Sequence, residues 1–333
     1  MSACGTDLSP ASDLGVSSDL EGPTQQLDLA RPDGGACLPS VDNVGGERCV
    51  LDCSGGLHCF DYAGVADPLP TLPPVLRMAL ARDPHTGKAV VLVQHADLGF
   101  ALVTPASGPG TATSTPLPGL PADTVSIGGG DSHFCALGAN GDVWCFGRND
   151  AGNLGASVDA VHETDMPMLV SALGKVSLLA VGGYSTCGVV AGETRCVGDL
   201  ASASGQVASV PELAQAKQLF LGGVEVITAG CAIRGDGAVS CKKFAAPEGS
   251  FTAVALSDQS ACGLEPSGTV RCWGHEYDYV KMAYVDPTPI AAPTFRTLYG
   301  GEANYCGVTD GGEVHCWGRT NEAWVAQPTR LWP

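Results

Sequence analysis

The chain has 333 residues, and its 35 acidic residues outnumber its 17 basic residues to give a formal net charge of −18. This balance excludes nucleic acids and anionic membrane surfaces as partners bound by charge, because both require a basic protein surface. Charged residues make up only 16% of the chain and hydrophobic residues 44%, so the composition is not that of a disordered acidic protein. The 45 glycines, 23 prolines and 15 cysteines instead predict a turn-rich fold with disulfides or metal sites.

Residues 1–39 are predicted to be a flexible tether, since they are rich in Gly, Ser, Pro, Asp and Leu without a clean period. The first five residues read MSACG, which resembles the end of a bacterial lipoprotein signal with Cys4 as the lipidated residue. The chain has no apolar run that is long enough for a signal peptide or a transmembrane helix, so this reading expects a signal upstream of Met1. The alternative is a chance match to a short motif.

Residues 40–333 are predicted to form one domain that is built from seven similar units. Six units carry two cysteines nine or ten residues apart, on either side of a turn such as Asn140-Gly141. Apolar residues alternate toward the turn, which is the pattern of a β-hairpin. A seventh unit without cysteines follows the same pattern from Ala79 to Leu92. The units recur every 43 residues or so on average, which is about the size of one propeller blade.

The two cysteines of each hairpin are predicted to face each other across the strands, at a separation that a disulfide accepts. The predicted pairs are Cys49–Cys59, Cys135–Cys145, Cys187–Cys196, Cys231–Cys241, Cys262–Cys272 and Cys306–Cys316. If Cys4 carries a lipid, Cys37 and Cys53 remain to form a further disulfide. The alternative is zinc, which needs four converging ligands, and hairpins that are spread around a ring cannot supply them. We therefore expect no metal and no cofactor.

A glycine-rich strand precedes most of the hairpins, for example at residues 125–130 and 179–183. Glycine inside a strand is expected where another backbone approaches closely. These segments are therefore predicted to be the crowded inner strands of the blades.

One unit, residues 128–155, reads GGGDSHFCALGANGDVWCFGRNDAGNLG. It resembles the repeat of the regulator of chromosome condensation family, a Gly-x-x-His-x-x-Ala-Leu hairpin with an aromatic-Gly-x-Asn-x-x-Gly-x-Leu-Gly tail. The resemblance covers residues 40–333, although the other units lose most of the tail. It implies an all-β fold, a single seven-bladed β-propeller of four-stranded antiparallel blades, and the acidity and cysteines resemble a bacterial, exported, disulfide-rich branch of the family.

The end of the chain, residues 327–332, resembles the start of another repeat. We expect it to supply the outer strand of the first blade. The ring would then be closed by pairing of the N-terminal and C-terminal strands.

Catalytic motifs are absent from the sequence, which has no Gly-x-Ser-x-Gly elbow, no Walker-type phosphate loop and no His-Glu-x-x-His. His133 holds the family's histidine position, where the resemblance implies a structural role. Trp144, Trp273 and Trp317 occupy one repeat position and are expected to pack between blades. We assign no catalytic residue.

The best binding candidate follows the sixth hairpin, where aromatic residues replace the family tail. This segment contains His275, Tyr277, Tyr279 and Tyr284. Tyr and Trp commonly anchor recognition surfaces. The alternative is that the tyrosines cover an edge of the propeller. The tails of two other units are expected on the same rim and add Arg148, Asn149, Asp150, Arg319 and Trp324.

These features predict a monomeric binding module, secreted or on the outer cell surface, that recognises a protein or a glycan through the loops of one propeller face without catalysis. Six or seven disulfides fit a place outside the reducing cytosol. The membrane would be reached only through a lipid on Cys4. The alternative is an envelope-associated lyase or hydrolase with its site on one face, because propellers also host enzymes.

Overall fold

In the computed structural model, the chain is an all-β protein in which seven antiparallel sheets form a ring. The described residues are 37–333 except 45–46, 62, 98, 107–110, 202–203, 224–227, 258–259, 279–282, 286–289, 291, 302–303 and 320–323. Two single-turn 3-10 helices, Ser171–Leu173 and Pro211–Leu213, connect sheets. Among the described residues no helix has the length and apolar character to cross a bilayer. The predicted seven-bladed β-propeller is confirmed.

The first four blades have four strands each. Blade 1 comprises β1 (Ser40–Val44), β2 (Glu47–Leu51), β3 (Leu57–Phe60) and β4 (Ala66–Asp67). Blade 2 comprises β5 (Val75–Arg82), β6 (Ala89–His95), β7 (Phe100–Thr104) and β8 (Thr113–Pro116). Blade 3 comprises β9 (Thr124–Gly129), β10 (His133–Gly138), β11 (Val143–Arg148) and β12 (Glu163–Leu169). Blade 4 comprises β13 (Leu178–Gly182), β14 (Ser185–Val190), β15 (Glu193–Gly198) and β16 (Ala208–Ser209).

The last three blades are less regular. Blade 5 comprises β17 (Gln218–Gly222), β18 (Ala229–Ile233) and β19 (Val239–Lys242). Blade 6 comprises β20 (Ala253–Leu256), β21 (Ser260–Leu264) and β22 (Val270–Gly274), and a single bridge joins Val270 to Ile290 where a fourth strand would lie. A separate hairpin follows, with β23 (Glu276–Asp278) and β24 (Ala283–Val285). Blade 7 comprises β25 (Thr297–Gly300), β26 (Asn304–Val308), β27 (Val314–Arg319) and β28 (Trp324–Trp332).

The core of the protein lies between the blades. The first strand of every blade is innermost and contacts the first strands of both neighbouring blades, including β25 against β1. One apolar cluster fills each of the seven joints between neighbouring blades. Burial of these apolar surfaces is the main force that holds the ring together.

The prediction that paired terminal strands close the ring is wrong. The C-terminal strand β28 pairs with β27 in its own blade, because the outer edge of blade 1 is already occupied by β4. The last residues nevertheless contact blade 1 through side chains. The ring of Trp332 lies 4.2 Å from that of His58 and 6.1 Å from that of Phe60, measured between centroids. Packing of side chains, and not a shared sheet, therefore closes the ring.

The hairpin that was predicted at residues 79–92 is not equivalent to the cysteine hairpins. Those connect the second and third strands of a blade, whereas residues 79–92 span the first and second strands of blade 2. The turn residues of the β5–β6 loop imitate a hairpin tip in sequence. The hairpin of blade 2 that is equivalent to the cysteine hairpins is formed by β6 and β7. In it Leu92 lies directly opposite Leu102, and each leucine is five residues from the centre of the turn. A pair of leucines thus takes the place of a disulfide.

All seven predicted disulfides are present among the described residues. The six hairpin pairs lie directly opposite each other in the strand register, with Cα atoms 4.0 to 4.1 Å apart. In four of these pairs both cysteines are buried. Cys37 and Cys53 form the seventh disulfide, which ties the start of β1 to the tip of the first hairpin, and Cys53 is exposed.

The exposed disulfide is expected to be reduced first. Thiol–disulfide exchange requires access of the attacking thiolate, and Cys53 is exposed whereas every hairpin pair has at least one buried cysteine. Titration with a mild reductant, alkylation and peptide mass mapping should label Cys37 and Cys53 before any cysteine of the six hairpin disulfides. Earlier labelling of Cys135 and Cys145, which are both fully buried, would contradict this order.

Candidate binding face

All the predicted binding segments lie on one face of the ring. They follow the third strands of their blades, and the blades all run through the ring in the same sense, so the third strands end on the same side. We call this side the tail face. It is defined by the ends of the third strands at Phe60, Thr104, Arg148, Gly198, Lys242, Gly274 and Arg319. The tips of the cysteine hairpins, including Cys53, lie on the opposite face.

Asn149 was predicted to bind a partner, and this prediction is corrected because the residue is fully buried. Its Nδ2 donates hydrogen bonds to the carbonyl oxygens of Val161 (2.7 Å) and Ala156 (3.0 Å). Its Oδ1 accepts a hydrogen bond from the backbone N–H of Leu154 (2.8 Å). The side chain therefore organises the loop at residues 149–161 from within and offers no atom to a partner.

Arg148 and Asp150 flank this buried residue and are exposed. The Nη2 atom of Arg148 lies 3.0 Å from Oδ1 of Asp150. An exposed ion pair of this kind contributes little to the stability of a fold. Both side chains can therefore leave this ion pair and contact a partner with little loss of stability.

The segment after blade 6 forms a small sheet of its own. In the hairpin β23–β24, Tyr277 lies directly opposite Tyr284 in the strand register. Among the described residues this hairpin pairs with no strand of a blade. His275 precedes it and is exposed, while Tyr279 lies outside the described residues. The sequence marked the aromatic residues but not the hairpin, although alternation of acidic and aromatic residues from Glu276 onward was a signal for a strand.

The corresponding segment of blade 7 lies next to this hairpin around the ring. Arg319 ends β27, is half-buried, and pairs in register with Trp324 at the start of β28. Blades 6 and 7 are neighbours, so the topology places these two predicted segments on adjacent blades. Arg148 and Asp150 belong to blade 3, on the other side of the ring. The predicted binding residues thus divide into a group on the adjacent blades 6 and 7 and an ion pair on the distant blade 3.

The structural role implied for His133 agrees with its surroundings. The side chain is buried between blades 3 and 4, with Nε2 3.1 Å from the hydroxyl oxygen of Thr186. Burial lowers the pKa of His133 to about 3, so the imidazole is neutral at physiological pH. Within the described ranges, no three His, Cys, Asp or Glu side chains are grouped so as to hold a metal ion.

Two of the three repeated tryptophans pack between blades as predicted. Trp317 is buried, and its ring centroid lies 5.7 Å from those of Phe295 and Tyr305. Trp273 packs beside Phe251 at 5.6 Å. These rings serve the core and are not part of the tail face.

Comparison with known families agrees with this architecture. Residues 124–153 and residues 140–189 match models of the regulator of chromosome condensation (RCC1) repeat. These matches cover blade 3 and the start of blade 4, within a ring of seven blades. The chain is an RCC1-type β-propeller. No curated protein matches the sequence of this propeller significantly.

Solved structures show the same fold at low sequence identity. The CRINKLY WD40 ectodomain of the Arabidopsis thaliana receptor kinase ACR4 is 17% identical with a TM-score of 0.55, and the match covers 84% of this chain and 97% of that one. The ectodomain of the Physcomitrella patens receptor kinase CR4 is 19% identical with a TM-score of 0.52, covering 84% and 72%. The Myceliophteria thermophila Cps50 (Swd1) propeller domain is 9% identical with a TM-score of 0.51, covering 83% and 94%.

Proposed function

We propose that this RCC1-type propeller is an extracellular, monomeric, non-enzymatic module that binds a protein through its tail face at blades 6 and 7. The observation that carries the proposal is the hairpin β23–β24, which interrupts the repeat between two blades and, within the described part of the chain, is paired with neither. In it Tyr277 lies opposite Tyr284 and follows the exposed His275, and the neighbouring blade 7 carries Arg319 and Trp324 at the corresponding position in the chain. Tyr, Trp and Arg are the residues most enriched at the energetic centres of protein interfaces.

The disulfides support a place outside the cytosol, because seven of them would not persist among reducing thiols. In this proposal residues 1–39 are a tether and residues 40–333 the binding domain. Cys4, the proposed lipid anchor, lies outside the described residues. The Cys37–Cys53 disulfide fastens the start of the domain to the hairpin-tip face. A tether that enters there leaves the opposite tail face open to a partner.

The proposal predicts that the double variant Tyr277→Ala and Tyr279→Ala loses at least about 2 kcal/mol of binding free energy, roughly a thirtyfold loss of affinity. The partner would be identified by capture from the native extracellular or envelope fraction, with mass spectrometry and then purified components. Affinity would be measured by calorimetry and the melting temperature by scanning calorimetry. We expect the melting temperature to stay unchanged.

The matched control is Met166→Ala, which removes an apolar side chain that is 52% exposed on the outer strand of blade 3, away from the proposed patch. It should bind like the wild type. Unchanged affinity of the tyrosine variant, or equal losses in both variants, would refute the patch. Capture that periodate treatment of the partner fraction abolishes would show a glycan in place of a protein.

A further inference from the structure

A carboxyl group on the inner strand of blade 1 helps to hold the joint between blades 1 and 2. Asp42 lies on β1, the inner strand of blade 1. Its Oδ2 accepts a hydrogen bond from the backbone N–H of Leu80 on β5 of blade 2, at 2.8 Å. Its Oδ1 accepts one from the backbone N–H of Asn43, also at 2.8 Å. The carboxyl group therefore bridges the two blades through backbone donors.

A second group of carboxyls lies where the same joint reaches the tail face. Glu47 begins β2 two residues before Cys49, the position that the buried, neutral His133 occupies before Cys135 in blade 3. Its Oε2 atom is buried without a hydrogen-bond partner, and so is Oδ2 of Asp67 on the outer strand β4. A buried carboxylate oxygen without a donor is unfavourable when the group is ionised. Blade 1 thus has an acidic side chain where blade 3 has an uncharged imidazole.

The surrounding charges do not compensate for this arrangement. Burial, and then the charges of Asp67 and Asp61, raise the pKa of Glu47 to about 7, although Lys88 of blade 2 acts in the opposite direction. Burial also raises the pKa of Asp42 to about 7 against the effect of its two hydrogen bonds. Burial and Asp61 raise the pKa of Asp67.

Other cations at the joint are already engaged. Arg82 of β5 lies 3.3 Å from Asp131 of blade 3, and Arg77 donates a hydrogen bond to Gln94 at 2.8 Å. Arg48 follows Glu47 on β2, so its side chain leaves from the other face of the sheet. Lys88 is therefore the cation of blade 2 that acts on Glu47, and it is exposed to solvent.

We propose that the joint between blades 1 and 2 is a pH-sensitive joint of the ring, firmly closed at mildly acidic pH and loosened above neutrality. The carboxyls of Glu47 and Asp42 are protonated in the closed joint and lose their protons as the pH rises, in the case of Glu47 beside the charges of Asp67 and Asp61. The sign follows from linkage. The pKa values of these carboxyls are higher in the folded state than in the unfolded state, so the folded state binds their protons more tightly. The resulting contribution to stability is complete at pH values below the pKa of the unfolded state. It is lost as the pH rises through the pKa of the folded state. The proposal does not depend on the proposed partner.

Amide hydrogen exchange of the whole chain tests the joint. After correction for the intrinsic pH dependence of exchange, we expect protection in β1, β2, β5 and β6 to fall on the order of tenfold between about pH 5.5 and about pH 8. Protection in β13 to β15 of blade 4 should stay the same. Equal protection of the joint at both pH values would overturn the proposal.

Glu47→Gln removes the charge and keeps the shape of the side chain, so it should reduce the pH difference and increase protection at the higher pH. The control is Glu265→Gln in blade 6, where the Glu265 Oε1 atom lies 3.4 Å from Nε of Arg271 in a half-buried ion pair. It should leave the pH difference at blades 1 and 2 as in the wild type. A Glu47→Gln protein with the full wild-type pH difference would also overturn the proposal.

Discussion

Replacing Gly129 with alanine is expected to destabilise the propeller by about 3 kcal/mol or more, the upper end of what overpacking costs. Gly129 ends the inner strand of blade 3, and a Cβ atom there would overlap the carbonyl oxygen of Leu80 on the inner strand of blade 2. The obstacle is backbone, so no side-chain rotation can relieve it. Urea unfolding followed by tryptophan fluorescence should show the loss as a lower midpoint.

Gly311→Ala is the matched control, because it makes the same chemical change in the hairpin turn of blade 7. A Cβ atom at Gly311 would meet only the hydroxyl oxygen of Thr309, at 3.8 Å. We expect a change within about 0.5 kcal/mol, as for most surface substitutions. Equal effects of the two variants would show that close approach of the inner strands is not what Gly129 serves.

Replacing Trp332 with alanine is expected to cost about 2 to 4 kcal/mol, somewhat below the range for a fully buried aromatic residue because this side chain is half-buried. The indole links the C-terminal strand to blade 1, where its ring is tilted against that of His58 at a centroid distance of 4.2 Å. Among the described strands none replaces this contact, since β28 pairs with β27 and with no strand of blade 1. Hydrogen exchange should rise first in β28 and β3, together with a lower denaturation midpoint.

Trp332→Phe separates ring packing from a general effect of changing the last strand. Phenylalanine keeps an aromatic face toward His58 and Phe60, so the loss should be less than half of that for alanine, about 1 kcal/mol. An alanine variant that unfolds at the wild-type midpoint would contradict this prediction. The joint between blades 7 and 1 would then be held by its buried cluster, which includes Val50 and Val308, without the Trp332 ring.

Most of the confirmed predictions depend on the chemistry of residues that are close together in the chain. The cysteines were predicted to pair because each hairpin places them symmetrically about a turn, and this depends only on residues within a stretch of ten or so. The glycines of the inner strands were predicted from the same kind of argument, and Gly129 does meet the backbone of the next blade. The predicted binding segments were found on one face because every blade repeats the same strand order.

The errors concern positions where distant residues compete. The C-terminal strand resembles the start of a repeat, but only the folded ring shows that β4 already occupies the edge of blade 1. Residues 79–92 look like a cysteine hairpin, but blade 2 uses the next pair of strands. Asn149 looks exposed in a polar loop, yet the loop folds around it.

Composition and contacts between near neighbours in the chain were sufficient to predict the all-β class, the seven units and the hairpin disulfides, and the acidic charge follows from composition alone. The folded ring was needed to show how the ring closes, that two predicted segments belong to the adjacent blades 6 and 7, and that burial raises the pKa values of Glu47 and Asp42 to about 7. These properties depend on burial and on charges that come from other blades. Residues far apart in the chain create them, and no local pattern records which ones will meet.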